Sequence, residues 1–399
     1  MLAVARARTV SVLTDRHWLM AFTVAVVKEQ QTGERRVAMV PAVLPKLAKL
    51  GAQLRLQAGA GVASRFADAA YAGATVLDDA QDVVAGADLV LAVQAPSLQT
   101  LAAMRPGSTL VAMLYPAKAP GLLELLCERR ITAFAMETVP RISRAQALDV
   151  LSSQAALAGY YAPLLGAVHL PRILPMMTTA VGSLRAARVL VMGLGVAGLQ
   201  ALATAHRLGA ITEGYDVRPE TREQAQSVGA KFVDTGIDAR GEGGYARELT
   251  AEERAKAAAV LTQHIQQADM IVTTANVPGR TAPILIDRAQ IDGMKPGAVI
   301  VDLAADSGGN CEGSVPGQTV EVGPVTIVAP FNVPSALAQH ASELYAKNLL
   351  NLIELLVRDG ALAPDFDDEV VAGTLLTRDG QRCHPTPQAI APAPAAKES

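Results

Sequence analysis

The sequence predicts an α/β fold of two Rossmann-like domains, each with a mainly parallel sheet, separated by a cleft. Three observations predict it. Short Ala-, Val- and Leu-rich runs alternate with helix-like segments from Thr23 onward, the rhythm of βαβ units. Half of the 399 residues are hydrophobic but only 4% are aromatic, which is the palette of strands buried on both faces. A second cycle of the same rhythm opens at Arg188 with a glycine-rich turn.

The elements follow in order. Phe22–Lys28 (FTVAVVK) reads as the first strand, and Pro41–Leu50 as a helix with proline in its first turn. Gln53–Gln57, Thr75–Leu77, Leu89–Val93, Thr109–Met113 and Thr132–Met136 read as further strands. Ser143 begins a long helical stretch expected to break near Pro163. The second cycle has strands at Val189–Met192, Ile211–Asp216, 231–233, Met270–Thr273, Ala298–Asp302 and Val325–Val328, with helices up to Leu208 and at 219–228 and 250–266. Ser335–Arg358 is a strong amphipathic helix, expected to return to the first domain. The expected domains are therefore 20–143, completed by 331–380, and 144–330. An extension (1–19) and a Pro/Ala-rich disordered tail (385–399) flank them. Met20 directly precedes the first strand and is the expected natural start.

Composition excludes several classes. A net charge of −3 gives no basic face for nucleic acid. A mean hydropathy of +0.26 looks membrane-like, yet the longest uncharged stretch, Val150–Pro171, is interrupted by Ser152, Ser153, Gln154, Pro163 and His169 and reads as a packed helix. Three scattered cysteines make neither a disulfide frame nor a zinc site, and the six histidines show no ligand spacing, so no metal is expected.

The fingerprint Gly193-Leu-Gly195-Val-Ala-Gly198 lies between a strand and a helix. Gly193 permits the tight turn, Gly195 lets backbone amides approach a pyrophosphate, and Gly198 lets the helix pack on its strand. Asp216, 23 positions after Gly193, closes the next strand. Its carboxylate suits adenosine ribose hydroxyls and repels a 2′-phosphate, favouring NAD(H), although Arg218 could meet a phosphate. A second polar cluster runs from Pro140 to Gln154. Ser143 and Gln146 have capping-box spacing, and Gln146, Asp149 and Ser153 fall on one face of a helix. This suits either a solvated cap or a rigid constellation beside the nicotinamide. Gly241–Tyr245 reads as a loop with an aromatic tip, either a flap or an ordinary exposed turn. Asp302 and Asp306 at a strand end read as site residues or loop anchors.

Four stretches carry a family resemblance: Lys28-Glu29 with Gly33–Pro41 (GERRVAMVP), Pro140–Ser153 (PRISRAQALDVLSS), the fingerprint with its following Leu-Gln-Ala, and Thr273–Leu303 followed by Gly308–Glu312. From about Met20 to about Thr374 the chain resembles the NAD(H)-binding alpha subunits of proton-translocating nicotinamide nucleotide transhydrogenases, within the alanine dehydrogenase/transhydrogenase superfamily. The resemblance implies NAD(H) on this chain, NADP(H) on a beta subunit, and direct hydride transfer between the two nicotinamides, coupled to proton movement by membrane components. It implies that Arg141, Gln146, Asp149 and Ser152 position the nicotinamides, with Ile142, Ser143 and Arg144 lining the nucleotide. Leu194, Gly195 and Val196 then face the pyrophosphate, and Asp216, Val217 and Arg218 hold the adenosine side. Gly244 and Tyr245 form a closing flap, and Asn276 lines the cofactor. Homodimers are usual in such subunits. With the chain stopping in linker at Ser399, a split subunit is expected, with a separate small membrane alpha subunit, peripheral on the cytoplasmic face of the plasma membrane.

The runner-up from the same superfamily is alanine dehydrogenase. Its K-V-K-E-P lysine and its histidine are replaced here by Leu91–Pro96 (LAVQAP) and Leu114-Tyr115-Pro116, although Arg36 and Asp306 persist. A site without those groups is poorly equipped for amine chemistry. The third reading is a non-enzymatic NAD(H)-binding regulator. Departures from the transhydrogenase pattern include Ala92, the run Thr179–Ala187 and Asn332–Ala338.

Overall fold

The structure, a computed structural model, describes residues 22–240, 247, 249–276 and 281–383. The expected flap tip Gly244–Tyr245, the extension 1–19 and the tail 385–399 lie outside the described residues.

Two large sheets account for the fold. The first contains β1 (Phe22–Val26), β2 (Ala52–Gln57), β3 (Thr75–Leu77), β4 (Leu89–Gln94), β5 (Thr109–Met113) and β6 (Thr132–Ala135) in the order β3-β2-β1-β4-β5-β6, all parallel. The late strand Leu375–Arg378 joins β6 antiparallel, and Gln381–Arg382 follows it. A hairpin, β7 (Met177–Thr179) and β8 (Gly182–Leu184), stands apart. The second sheet comprises β9 (Arg188–Met192), β10 (Ile211–Tyr215), β11 (Lys231–Phe232), β12 (Met270–Thr273), β13 (Ala298–Asp302), β14 (Thr319–Val322) and β15 (Val325–Val328). Its order is β11-β10-β9-β12-β13-β15-β14, with only β14 antiparallel.

The strand composition is explained by burial on both faces. Val24 and Val26 enter one apolar core while Ala25 and Val27 enter the core on the opposite face, and Leu89, Leu91 and Val93 alternate in the same way with Val90 and Ala92. The second sheet is sandwiched likewise. The architecture repeats down to one side chain. Asp88 accepts the Thr23 N–H at 2.7 Å and Asp269 accepts the Arg188 N–H at 2.8 Å, each tying the fourth strand of its sheet to the first. In both sheets the strand order reverses between those two strands, the place where such folds open a crevice.

Two passages join the sheets. The crossing helix, Val150–His169, begins beside the first core and ends beneath the second sheet, where Ala162 is buried. The chain comes back through Val333–Ala336 and the return helix Ala338–Leu356, whose apolar stripe fills the first core.

Three local expectations are corrected. The stretch from Ser143 is not one helix: a 3-10 segment, Ser143–Leu148, precedes the crossing helix, and the break falls at Asp149 rather than near Pro163. Asp149 takes extended backbone angles and caps the new helix, whereas Pro163 stays inside it, buried against the second domain. Ser143 therefore caps nothing through its side chain, and the Ser143–Gln146 capping box is absent. Gln146 also does not share a helical face with Asp149 and Ser153, because it belongs to the segment before the break.

Candidate functional site

The fingerprint folds as its glycines require. Gly193 has φ +92°, a left-handed value that glycine tolerates. Its carbonyl accepts the Thr274 hydroxyl at 2.7 Å. At Gly198 a Cβ would lie 1.8 Å from the Gly193 carbonyl oxygen, so only glycine lets the helix Val196–Arg207 sit on β9. At Gly195 a Cβ would meet nothing within 4 Å, and no side chain caps the helix there. Unsatisfied N–H groups facing open space at a helix N-terminus fit an anionic pyrophosphate. Leu194 is buried beneath the turn, and Val196 is exposed at its tip.

Asp216 ends β10 beside this turn, and its carboxylate is already engaged. Oδ2 accepts Leu194 N–H (2.7 Å) and an Arg218 guanidinium N–H (2.8 Å), while Oδ1 accepts Arg218 N–H and Nε–H (both 2.9 Å). A ribose that bonds Asp216 must therefore displace the Arg218 guanidinium. Val217 is half-buried beside it. On the opposite rim Asn276 is exposed, its amide donating to Ser307 Oγ at 3.3 Å.

Asp302 and Asp306 separate. Asp302 is fully buried and accepts from Thr273 Oγ1 and Ala304 N–H (both 3.0 Å) and from Asn310 N–H (2.8 Å), which makes it a loop anchor. Asp306 is exposed. Burial pushes the neighbouring Cys311 thiol up, so it is no nucleophile.

The polar run meets the fingerprint through the crossing helix. Gly159 packs so closely on the fingerprint helix that a Cβ there would lie 2.1 Å from the Ala197 carbonyl oxygen. Ten residues earlier, about 15 Å along the axis at 1.5 Å per residue, Asp149 caps the helix. Its carboxylate accepts Ser152 N–H (2.9 Å) and Ser152 Oγ–H (2.6 Å). Arg141, Ser143 and Gln146 are exposed and Ile142 is half-buried. Arg144 is exposed too, forking onto Asp368 with two 2.9 Å bonds. Sequence reasoning missed the groups that hold this run. Asn348 and Asn351 of the return helix each donate to the Ala147 carbonyl at 2.8 Å, and Asn348 Oδ1 accepts Ser153 Oγ–H at 2.8 Å. The signal was two asparagines three apart in an otherwise apolar stripe.

Beneath the run lies a buried ion pair that the sequence presents only as a piece of a motif. Arg36 donates to Glu34 through Nε (2.8 Å) and NH2 (2.6 Å), and through NH1 to Gln154 Oε1 (2.9 Å). Burial alone would raise the Glu34 carboxyl, but the hydrogen bonds and charge of Arg36 outweigh it and hold it at about 2. A carboxyl depressed from its usual value near 4.5 stabilises the fold above that pH, and the stabilisation is lost as pH falls toward 2. Denaturant midpoints measured across pH 4.5 to 2 should therefore fall more steeply for the native chain than for Glu34→Gln.

Comparison with known proteins completes the picture. The alanine dehydrogenase/PNT N-terminal domain family model matches residues 25–158, and the corresponding C-terminal domain model matches 162–385. The chain is 44% identical over 375 residues to the first of the separately encoded pieces of the NAD(P) transhydrogenase alpha subunit of Rhodospirillum rubrum, covering 91% of this chain and 98% of that one. It is 30% identical over 367 residues to the alanine dehydrogenase of Mycolicibacterium smegmatis, covering 90% and 94%. Among solved structures, the transhydrogenase from Sinorhizobium meliloti superposes with a TM-score of 0.80 at 42% identity, covering 91% and 99%. With both of its domains matched, the chain belongs to the alanine dehydrogenase/PNT family.

Proposed function

We propose that this chain is the NAD(H)-binding component of a proton-translocating transhydrogenase. In this reading 144–330 binds NAD(H), and 20–143 with 331–380 forms the other wall of the cleft. Bound NADH supplies the hydride, which passes directly to NADP⁺ on a beta subunit. The observation that carries the reading is the crossing helix, which joins the phosphate turn to the Asp149–Ser152 cap in one rigid rod. Direct transfer asks for proximity and orientation rather than acid–base groups. That agrees with Gln94 and Tyr115 standing where alanine dehydrogenases carry lysine and histidine. Gly193, Leu194, Gly195, Val196 and Gly198 would cradle the pyrophosphate, Asp216, Val217 and Arg218 the adenosine side. Arg141, Gln146, Asp149 and Ser152 would set the nicotinamide geometry, with Ile142, Ser143, Arg144, Gly244, Tyr245 and Asn276 around it.

Hydride transfer from NADH to an NADP⁺ analogue on adding the beta subunit tests the reading. Alanine-dependent NAD⁺ reduction in its place would sink it in favour of alanine dehydrogenase. The expected result for Gln146→Asn is an NADH affinity within about twofold of native and transfer slowed more than about tenfold, a barrier rise near 1.4 kcal/mol. An unchanged rate removes Gln146 from the catalytic set.

The reading extends to assembly: a homodimer working with a separate small membrane alpha subunit and the beta subunit, on the cytoplasmic face. No described helix is long and apolar enough to cross a membrane. What supports a second copy is an uncharged apolar surface. The crossing helix carries no Asp, Glu, Lys or Arg, and Tyr160 and Val168 face solvent from it. On the exposed β7–β8 hairpin, Val181 is 99% accessible and Met177 and Leu184 are exposed as well. A patch without charge is self-complementary across a two-fold axis. Val181→Glu is expected to halve the sedimenting mass, and an undisturbed dimer would remove the hairpin from the interface.

A further inference from the structure

The Gly33–Arg36 motif carries much of the family likeness but has no role in the cofactor reading. Residues 34–37 belong to neither sheet, and their backbone donors go to side chains instead. Arg35 N–H donates to Ser335 Oγ (2.6 Å), Arg36 N–H to Glu34 Oε1 (3.0 Å) and Val37 N–H to Ser342 Oγ (3.0 Å). Ser335 and Ser342 both lie on the returning passage. The Glu34 carboxylate accepts from Asn332 Nδ2 (3.0 Å) and Ser335 Oγ (3.1 Å) on that passage, and from Gln94 Nε2 (3.1 Å) at the end of β4. That strand end is pinned in turn by Glu29, which accepts the Val93 and Gln94 N–H groups at 2.6 and 3.1 Å. Arg36, besides forking onto Glu34, reaches Gln154 on the crossing helix, and Gln154 Nε2 donates to the Ala341 carbonyl of the return helix at 3.1 Å.

One buried ion pair thus touches both passages of the chain between the two sheets. Asn332, where the chain comes back, sits at φ +43°, a left-handed conformation that costs a non-glycine residue about 1–3 kcal/mol and persists only when its surroundings fix it. Here Glu34 and Arg36 both bond its side chain.

We infer that Glu34 and Arg36 are positioning residues of the interdomain hinge, setting the angle between the two domains and, through Gln154, the placement of the Asp149–Ser152 cap. A rigid guanidinium fork suits this role, because it fixes direction as well as distance, which a lysine ammonium does not. A misplacement of only 1 Å can slow a reaction about a hundredfold, so such a hinge would act on transfer without touching either nucleotide. The inference rests on the proposed transhydrogenase reading.

The test uses the full chain with two variants. Arg36→Lys keeps the charge but loses the fork, and Asn332→Gly relieves the strained backbone while removing its side-chain bonds. For both, the expected NADH dissociation constant stays within twofold of native, and single-turnover hydride transfer to beta-subunit-bound NADP⁺ slows at least tenfold. Amide hydrogen exchange should quicken at least tenfold in residues 150–156 and 333–342, and stay unchanged in β9, β12 and β13. Transfer within twofold of native, unaltered exchange at the two passages, exchange quickened alike in both sheets, or NADH affinity lost together with rate would each overturn the hinge. A native chain that transfers no hydride would instead defeat the transhydrogenase reading, and the exchange pattern alone would then decide the hinge.

Discussion

Gly198→Ala should weaken NADH binding by at least about a hundredfold, near 2.7 kcal/mol. The added methyl would sit 1.8 Å from the Gly193 carbonyl oxygen and 3.2 Å from Thr274 Oγ1. Ordinary contact begins near 3.4 Å, so the helix Val196–Arg207 must lift off its strand. That carries its amides away from the pyrophosphate and strains the Thr274–Gly193 hydrogen bond. Gly195→Ala provides the contrast. Its φ of −75° suits alanine and its Cβ meets nothing in the protein, so the fold should stay intact while the methyl occupies space meant for phosphate. Titration of NADH fluorescence with parallel thermal melts separates the two: Gly198→Ala should lose binding and melt lower, Gly195→Ala should lose binding alone. Binding within threefold of native in Gly198→Ala would show that the cofactor does not sit on this turn.

The contrast between these glycines also shows what could be read from residues alone. The fingerprint was legible because strand, turn and helix are consecutive, and each glycine answers a local steric demand. The strands were legible because alternate residues enter opposite cores, which leaves unbroken Val and Ala runs. The Glu34–Arg36 pair was not legible as a hinge. Two charges two residues apart in a polar stretch look like solvated surface, and the partners that bury them, Gln154 and Asn332, lie 118 and 296 positions away. The Asp149 break was hidden for a related reason. Ser143 and Asp149 both suit a cap, and the choice between them is made by the return helix, whose Asn348 and Asn351 hold the Ala147 carbonyl and end the first segment. Local chemistry thus marked the cofactor turn, while the groups that orient the polar run depend on contacts across the whole chain.

That dependence makes Asp149 and Ser152 the second place where a large effect is expected. Both Asp149 oxygens are committed to Ser152, Oδ1 to its amide and Oδ2 to its hydroxyl, and the hydroxyl is fixed as a donor by that bond. Asp149→Asn can still accept the amide, but its NH2 cannot accept the hydroxyl proton, so Ser152 Oγ must turn elsewhere. Ser152→Ala removes the same hydroxyl directly. Each variant is expected to slow hydride transfer about thirtyfold or more, near 2 kcal/mol, with NADH affinity held by the distant fingerprint. Because the two changes break one shared contact, their effects should not add. The double variant Asp149→Asn/Ser152→Ala should transfer about as slowly as either single one. Asp149→Ala removes the helix cap as well and should also lower stability by about 1 kcal/mol. Additive losses in the double variant would mean that the two side chains meet the nicotinamide independently, rather than as one oriented pair.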